Sequence, residues 1–154
     1  MINLENLSMF DAWITSFSYS FQFYFDFTAY VDMATGSALM LNIILPQNFN
    51  SPFKATNIIN FWQRWHMTLT SFLTNYFYTP WLMSLKSLSF LKSMVLLFVV
   101  FFIAGLWHGP SWNYIIFGSM HGIGLIVNHV YRKLIKFELN KIISIILTFN
   151  FVNL

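Results

Sequence analysis

The chain has 154 residues, of which 57% are hydrophobic, 21% aromatic and only 8% charged. Soluble domains carry about a quarter charged residues, so this composition, with a mean hydropathy of +0.61, excludes an ordinary water-soluble domain and predicts a chain that folds in lipid. The net charge of +3 and the lack of cysteine give no indication of nucleic-acid binding and exclude disulfides and thiolate chemistry within the chain.

The first predicted element is a helix over residues 12–45, a stretch without proline that Pro46 is expected to end. It exceeds the ~20 residues that a helix needs to cross hydrocarbon. Asp26 and Asp32 lie inside it, and a carboxylate at bilayer depth costs about 2.5 to 3.5 kcal/mol. Both side chains must therefore face protein or water. Either they bond a neighbouring helix and serve packing, or they have a direct chemical role.

Residues 57–74 are predicted to form one amphipathic helix. Apolar residues recur there at three- and four-residue intervals, while Arg64 lies on the polar face. Such a helix is too polar to face lipid on all sides, so we expect it at the interface or as a re-entrant helix packed against protein. His66 lies at the border of the two faces. It either bonds locally to Thr70 or takes part in chemistry.

Two membrane spans are predicted over residues 88–107 and 111–131, separated by the breaking pair Gly109 and Pro110. Basic residues at positions 86, 92 and 132–141 should lie on one, cytoplasmic, side. The spans would then form a hairpin with His108 near its far tip, where the break either reaches water on the outer face or is buried non-helical backbone that lines a cavity. The last apolar run, residues 142–154, is too short to cross. We therefore predict a single membrane domain over residues 1–154 with a truncated last span.

A histidine at such a break suggests acyl-transfer chemistry. A neutral imidazole can take a proton from an alcohol, the backbone N–H groups after Pro110 could bind an oxyanion, and Trp107 and Trp112 could exclude water. No metal site is predicted, because His121 and His129 are ~12 Å apart along a helix axis. Two alternatives stay open: a haem protein using His108, His121 or His129, and a transport protein with aspartates along an ion path.

Three stretches, residues 25–34, 60–69 and 106–112, resemble the membrane-bound O-acyltransferase (MBOAT) family in matching order, near its alginate O-acetylase and D-alanyl transfer branch. The resemblance implies an all-α integral membrane protein with several spans and an amphipathic or re-entrant helix, part of a tunnel fold. It makes His108 the catalytic histidine and His66 its partner. The residues expected to bind substrate or line the tunnel are Trp107, Trp112, Trp65, Arg64, Asp26, Asp32 and His121.

The resemblance also implies a function. The expected enzyme moves an acetyl or similar acyl group across the bacterial inner membrane, which it spans several times, onto hydroxyls of an exported polysaccharide such as alginate. No bound cofactor is expected, and acyl-CoA or an acyl-carrier protein would be the donor. The expected partners are membrane lipid, the cytoplasmic donor, the polysaccharide and an extracytoplasmic acyltransferase. The resemblance also implies that N-terminal spans of the family's tunnel are missing from residues 1–154, so this partial tunnel is not expected to act alone.

Overall fold

A computed structural model describes residues 8–135, 137 and 139–153. In these ranges the regular structure is helical and there is no β-strand, so the predicted all-α class is confirmed. The described chain divides into two compact units. The first contains residues 8–47 and 153, and the second contains residues 48–152.

The first unit is built on helix α1, Met9–Met40. It begins with a capping box, in which the Ser8 hydroxyl accepts from the Asp11 N–H and the Asp11 carboxylate accepts from the Ser8 N–H. These bonds supply partners for N–H groups that have none within the helix.

The prediction that Pro46 ends this helix is wrong, because α1 stops at Met40. The residue that ends it is Asn42, which adopts a left-handed conformation with φ 59°. The Asn42 N–H donates to the Leu39 carbonyl (2.9 Å), and the next N–H along the chain donates to the Ala38 carbonyl (2.9 Å). This pair of bonds is a Schellman motif, which satisfies carbonyls at the end of a helix.

The second unit starts with short helices. A 3₁₀ turn, Pro52–Lys54, precedes α2, Ile58–Trp62, and α3, Met67–Leu73. A π-helical turn, Thr74–Tyr78, and α4, Thr79–Met83, then follow α3 without interruption.

The break between α2 and α3 contradicts the prediction of one helix over residues 57–74. His66 interrupts it with a left-handed backbone (φ 44°). The segment before α2 supplies partners for the broken backbone: the Asn50 N–H donates to the Arg64 carbonyl (2.9 Å), and the Met67 N–H donates to the Asn48 carbonyl (2.9 Å). Apolar spacing does not predict this break, because the groups that stabilise it lie elsewhere in the chain.

Helices α5, Phe90–Trp107, and α6, Trp112–Leu134, form the predicted antiparallel hairpin. Their backbones approach closely at two glycines. A Cβ atom added at Gly118 would lie 2.5 Å from the Phe101 carbonyl oxygen and 2.9 Å from the Gly105 Cα atom. Small residues are what allow such close approach between apolar helices.

Within the described ranges, α5 is the helix that is long and apolar enough to cross a membrane. Helices α1 and α6 are long enough but more polar, and α7, Lys141–Val152, is a shorter apolar helix. The prediction of several spans therefore stays a prediction. The buried apolar core of the second unit comprises Ala55, Ile58, Phe61, Trp62, Phe101 and Leu125.

Candidate active site

His108 lies at the joint between α5 and α6. It is the C-cap residue of α5, and its N–H donates to the Gly105 carbonyl (3.1 Å). The next residue, Gly109, has φ 147°, a value that residues with a Cβ atom rarely adopt. The Ser111 hydroxyl then caps α6 by accepting from the Asn113 N–H. The chain thus reverses direction within a few residues and leaves the imidazole at the turn.

Aromatic rings surround the His108 imidazole. Its centroid lies 5.1 Å from that of Trp107, 5.9 Å from that of Tyr114 and 6.0 Å from that of Phe117. The desolvation that these neighbours cause lowers the pKa of His108 below its ordinary value of 6.5. The residue nevertheless remains exposed, so its ring is neutral at pH 7 and reachable by a reactant.

His66, at the N-terminus of α3, carries the second imidazole of the site and is half-buried. Burial lowers its pKa, and the charge of a protonated His108 lowers it further. The two rings therefore lie within electrostatic reach of each other, although the residues are far apart in sequence. The two histidines that the sequence indicated therefore interact electrostatically, and their catalytic roles stay a prediction.

His121 occupies the interior of the second unit and is only 5% exposed. The Trp62 Nε1–H donates to its Nδ1 atom at 3.2 Å. Because indole nitrogen is only a donor, Nδ1 must be unprotonated and the proton of a neutral ring must be on Nε2. The Phe117 ring links this residue to the turn, since its centroid lies 4.4 Å from that of His121 and 6.0 Å from that of His108.

Arg64 and Trp65 are engaged with the segment that carries His66. Arg64 donates through Nε to the Asn60 side chain (3.1 Å) and through Nη1 to the Asn50 carbonyl (3.1 Å). Trp65 stacks on Phe61 with centroids 5.7 Å apart. Both residues therefore stabilise the broken helix, and their predicted place along a substrate path stays a prediction.

The remaining predicted site residues are exposed. The side chains of Trp107 and Trp112 are 67% and 77% exposed beside the α5–α6 turn. Asp26 and Asp32 are exposed on α1, in the first unit. No group of three or more His, Cys, Asp or Glu side chains suited to a metal ion occurs among the described residues.

Sequence reasoning missed several contributors to this site. Phe117 and Tyr114 were not predicted as site residues, and neither was the bond between Trp62 and His121, whose partners are 59 positions apart. A shallow groove of about 230 Å³ between α2 and the helical segment after the break was also not predicted. Its lining residues are Trp62, Gln63, Met67, Thr70, Ser71, Thr74 and Asn75.

The residues around both histidines lie within a long match to one protein family. Residues 3–154 match the model of the membrane-bound O-acyltransferase family. The chain belongs to this family. The resemblance inferred from three short stretches is thereby confirmed.

Curated relatives of this MBOAT chain include three kinds of enzyme. A peptidoglycan O-acetyltransferase of Helicobacter pylori is 49% identical over 97% of the chain and 28% of the relative. A Pseudomonas aeruginosa protein named probable alginate O-acetylase is 38% identical over 80% of the chain and 24% of the relative. A teichoic acid D-alanyltransferase of Bacillus subtilis is 31% identical over 88% of the chain and 38% of the relative. The chain thus spans about a quarter to two fifths of their lengths.

Proposed function

We propose that the full-length protein is an O-acyltransferase that moves an acetyl or similar acyl group from a cytoplasmic donor onto a hydroxyl of an exported polysaccharide. The observation that carries the proposal is the exposed imidazole of His108 at the α5–α6 turn, which acts electrostatically on His66, in a chain of this family. The donor is acyl-CoA or an acyl-carrier protein. Peptidoglycan is the acceptor to test before alginate or teichoic acid, given the 49% identity to an enzyme named for it.

The proposed membrane arrangement rests on the helices and their charged ends. Helix α5 crosses the inner membrane, α6 returns beside it, and α1 provides a further span of a multi-pass protein. Lys92 and Lys133 lie at the end of the hairpin opposite His108, and positive residues favour the cytoplasmic side. The turn that carries His108 then lies toward the extracytoplasmic side, from which a polysaccharide approaches.

In this mechanism His108 is the general base. Its neutral imidazole takes the proton of the acceptor hydroxyl while the hydroxyl oxygen bonds to the acyl carbonyl carbon. The carbon–sulfur bond of the thioester donor then breaks, and the protonated imidazole returns the proton to the leaving thiolate. The backbone N–H of Trp112, the first residue of α6, stabilises the oxyanion.

The other predicted residues support this reaction. His66 orients the acceptor or relays the proton, and its neighbouring ring makes a second positive charge beside His108 unfavourable. Trp107 and Trp112 exclude water that would otherwise hydrolyse the donor. Trp65, Arg64 and His121 hold the two histidines in place. Asp26 and Asp32, which are exposed on α1, bind substrate or line its path.

The test is replacement of His108 by alanine in the full-length protein, in its native membrane. Base-labile acetyl esters on isolated peptidoglycan are then quantified. Loss of a general base lowers the rate by about 10²- to 10⁴-fold, so the esters should disappear. His129→Ala is the matched control, because His129 lies on α6 outside the aromatic cluster. Acetylation that persists in His108→Ala at the level of this control overturns the proposal.

A second experiment tests this segment by exchange. In a chimera, this chain takes the place of the aligned segment of the Helicobacter pylori relative, and the remaining segments are those of that relative. Peptidoglycan acetylation by the chimera, lost on His108→Ala, is the expected result. An inactive chimera that inserts and accumulates normally would refute a shared acceptor.

A further inference from the structure

Helix α3 is capped from a distant part of the chain. The Asn48 Oδ1 atom accepts from the Thr68 N–H at 3.2 Å and from the Thr68 hydroxyl at 2.7 Å. The Asn48 carbonyl accepts from the Met67 N–H at 2.9 Å. These are the first N–H groups of the helix, which have no partner within it. Asn48 therefore serves as the cap of α3, although it lies 20 positions before Thr68.

The residue that stands at the N-cap position itself is His66. Its backbone is left-handed, with φ 44° and ψ 54°. A residue with a Cβ atom adopts this region infrequently and only where surrounding contacts hold it there. The left-handed backbone sets the direction in which the imidazole leaves the chain, and the charge of a protonated His108 acts on that ring.

A second set of bonds fixes the capping segment against the break. The Asn50 N–H donates to the Arg64 carbonyl at 2.9 Å, and Arg64 Nη1 donates to the Asn50 carbonyl at 3.1 Å. The backbone on both sides of His66 is thus bonded to residues 48–50. A shift of this segment would change the His66 backbone and move its ring.

We propose that Asn48 is a positioning residue for acyl transfer, which acts by holding the His66 backbone in the left-handed conformation that sets the position of its imidazole. The inference rests on the proposed function, because it assigns to Asn48 an effect that passes through His66. The Asn48 bonds described above go to Met67 and Thr68 of α3. The contribution of Asn48 is therefore to the rate at saturating substrate and not to donor or acceptor binding.

The experiment measures kcat and KM for acetyl transfer by the full-length enzyme in membranes. The variants are Asn48→Ala, Asn48→Asp, His66→Ala and the double variant Asn48→Ala/His66→Ala, each normalised to the amount of inserted protein. Asn48→Ala should lower kcat about fivefold, the scale of a lost cap, with KM unchanged. Asn48→Asp retains an oxygen acceptor facing the same N–H groups and should restore most of the rate.

Asn57→Ala is the matched control for stability. The Asn57 side chain caps α2 by accepting from the Asn60 N–H at 2.8 Å. Its removal deletes a similar helix cap but leaves the bonds from residues 48–50 to the neighbours of His66 in place. The rate per inserted enzyme should stay near that of the wild type. Should Asn48→Ala fail to accumulate, Thr68→Val, which deletes the hydroxyl donor to Asn48, tests the same bond with a smaller loss of rate.

The double variant decides between positioning and general stabilisation. If Asn48 acts through His66, its replacement has no further effect once the imidazole is gone, so His66→Ala and the double variant should have equal rates. An equal fold-loss from Asn48→Ala in both backgrounds, or the same loss in Asn57→Ala, overturns the inference alone. Equal rates for the wild type and His66→Ala would instead refute the role of His66 in the proposed function, and the inference with it.

Discussion

The bond between Trp62 and His121 provides a test of what holds the site together. In Trp62→Phe the indole N–H is lost, while a ring remains to pack against Phe101, whose centroid lies 5.0 Å from that of Trp62. The His121 Nδ1 atom then loses its donor. Since His121 is only 5% exposed, water cannot readily replace that donor.

The expected cost follows from this burial. A buried polar atom left without a hydrogen bond destabilises a protein by about 1 to 3 kcal/mol, whereas replacing both partners by apolar groups of similar shape is nearly neutral. Trp62→Phe should therefore lower the free energy of unfolding by about that amount. The double variant Trp62→Phe/His121→Phe should be more stable than the sum of the two single variants predicts.

Unfolding of the full-length protein by SDS in mixed micelles, followed by circular dichroism, measures these free energies. Trp112→Phe is the matched control, because Trp112 is 77% exposed and its replacement should change stability by less than about 0.5 kcal/mol. The reasoning is refuted if Trp62→Phe is no more destabilising than this control, or if the two core replacements are additive.

Three further predictions concern other parts of the molecule. Gly118→Val should lower the free energy of unfolding by about 1 to 3 kcal/mol in the same SDS titration. An added Cβ atom would lie 2.5 Å from the Phe101 carbonyl oxygen, which belongs to the backbone and cannot rotate away. An unchanged free energy of unfolding would contradict the close approach of the two helices. At Asn42 the backbone is left-handed, with φ 59°. Asn42→Gly should therefore leave the free energy of unfolding near that of the wild type, whereas Asn42→Val should lower it by about 1 to 2 kcal/mol. Equal unfolding free energies for the two variants would disprove this. The rate of acyl transfer should fall to half its maximum only below pH 6.5, because desolvation lowers the pKa of His108 and a general base must be unprotonated. Initial rates that are already halved at pH 6.5 or above would contradict this prediction.

The local sequence was sufficient to predict the hairpin of α5 and α6. Helices α5 and α6 follow from two long runs of helix-compatible residues, and the turn follows from Gly109 and Pro110, which interrupt a helix. The same reasoning failed for α2 and α3. Apolar spacing across residues 57–74 is compatible with one helix, and the left-handed His66 is stable only because residues 48–50 bond to its neighbours.

The end of α1 was predicted at the wrong residue, although a local signal for the observed end was present. Proline is the stronger helix breaker, so the sequence favours an end at Pro46, whereas the helix stops at Met40 and Asn42 closes it. Asparagine tolerates the left-handed conformation better than most residues. The signal for the earlier end was therefore present in the local sequence, in the side chain of Asn42.

By itself, the sequence indicated a lipid environment, the all-α class, the α5–α6 hairpin and the family, because composition and motifs are local properties of the chain. It also indicated His108 through the helix break and His66 through the family resemblance. Only the tertiary structure brought these two rings within electrostatic reach, bonded Trp62 to His121 and capped α3 with Asn48. The physical reason is distance along the chain: hydropathy and capping act over a few residues, whereas the last two contacts join residues 59 and 20 positions apart and exist only once the helices have packed.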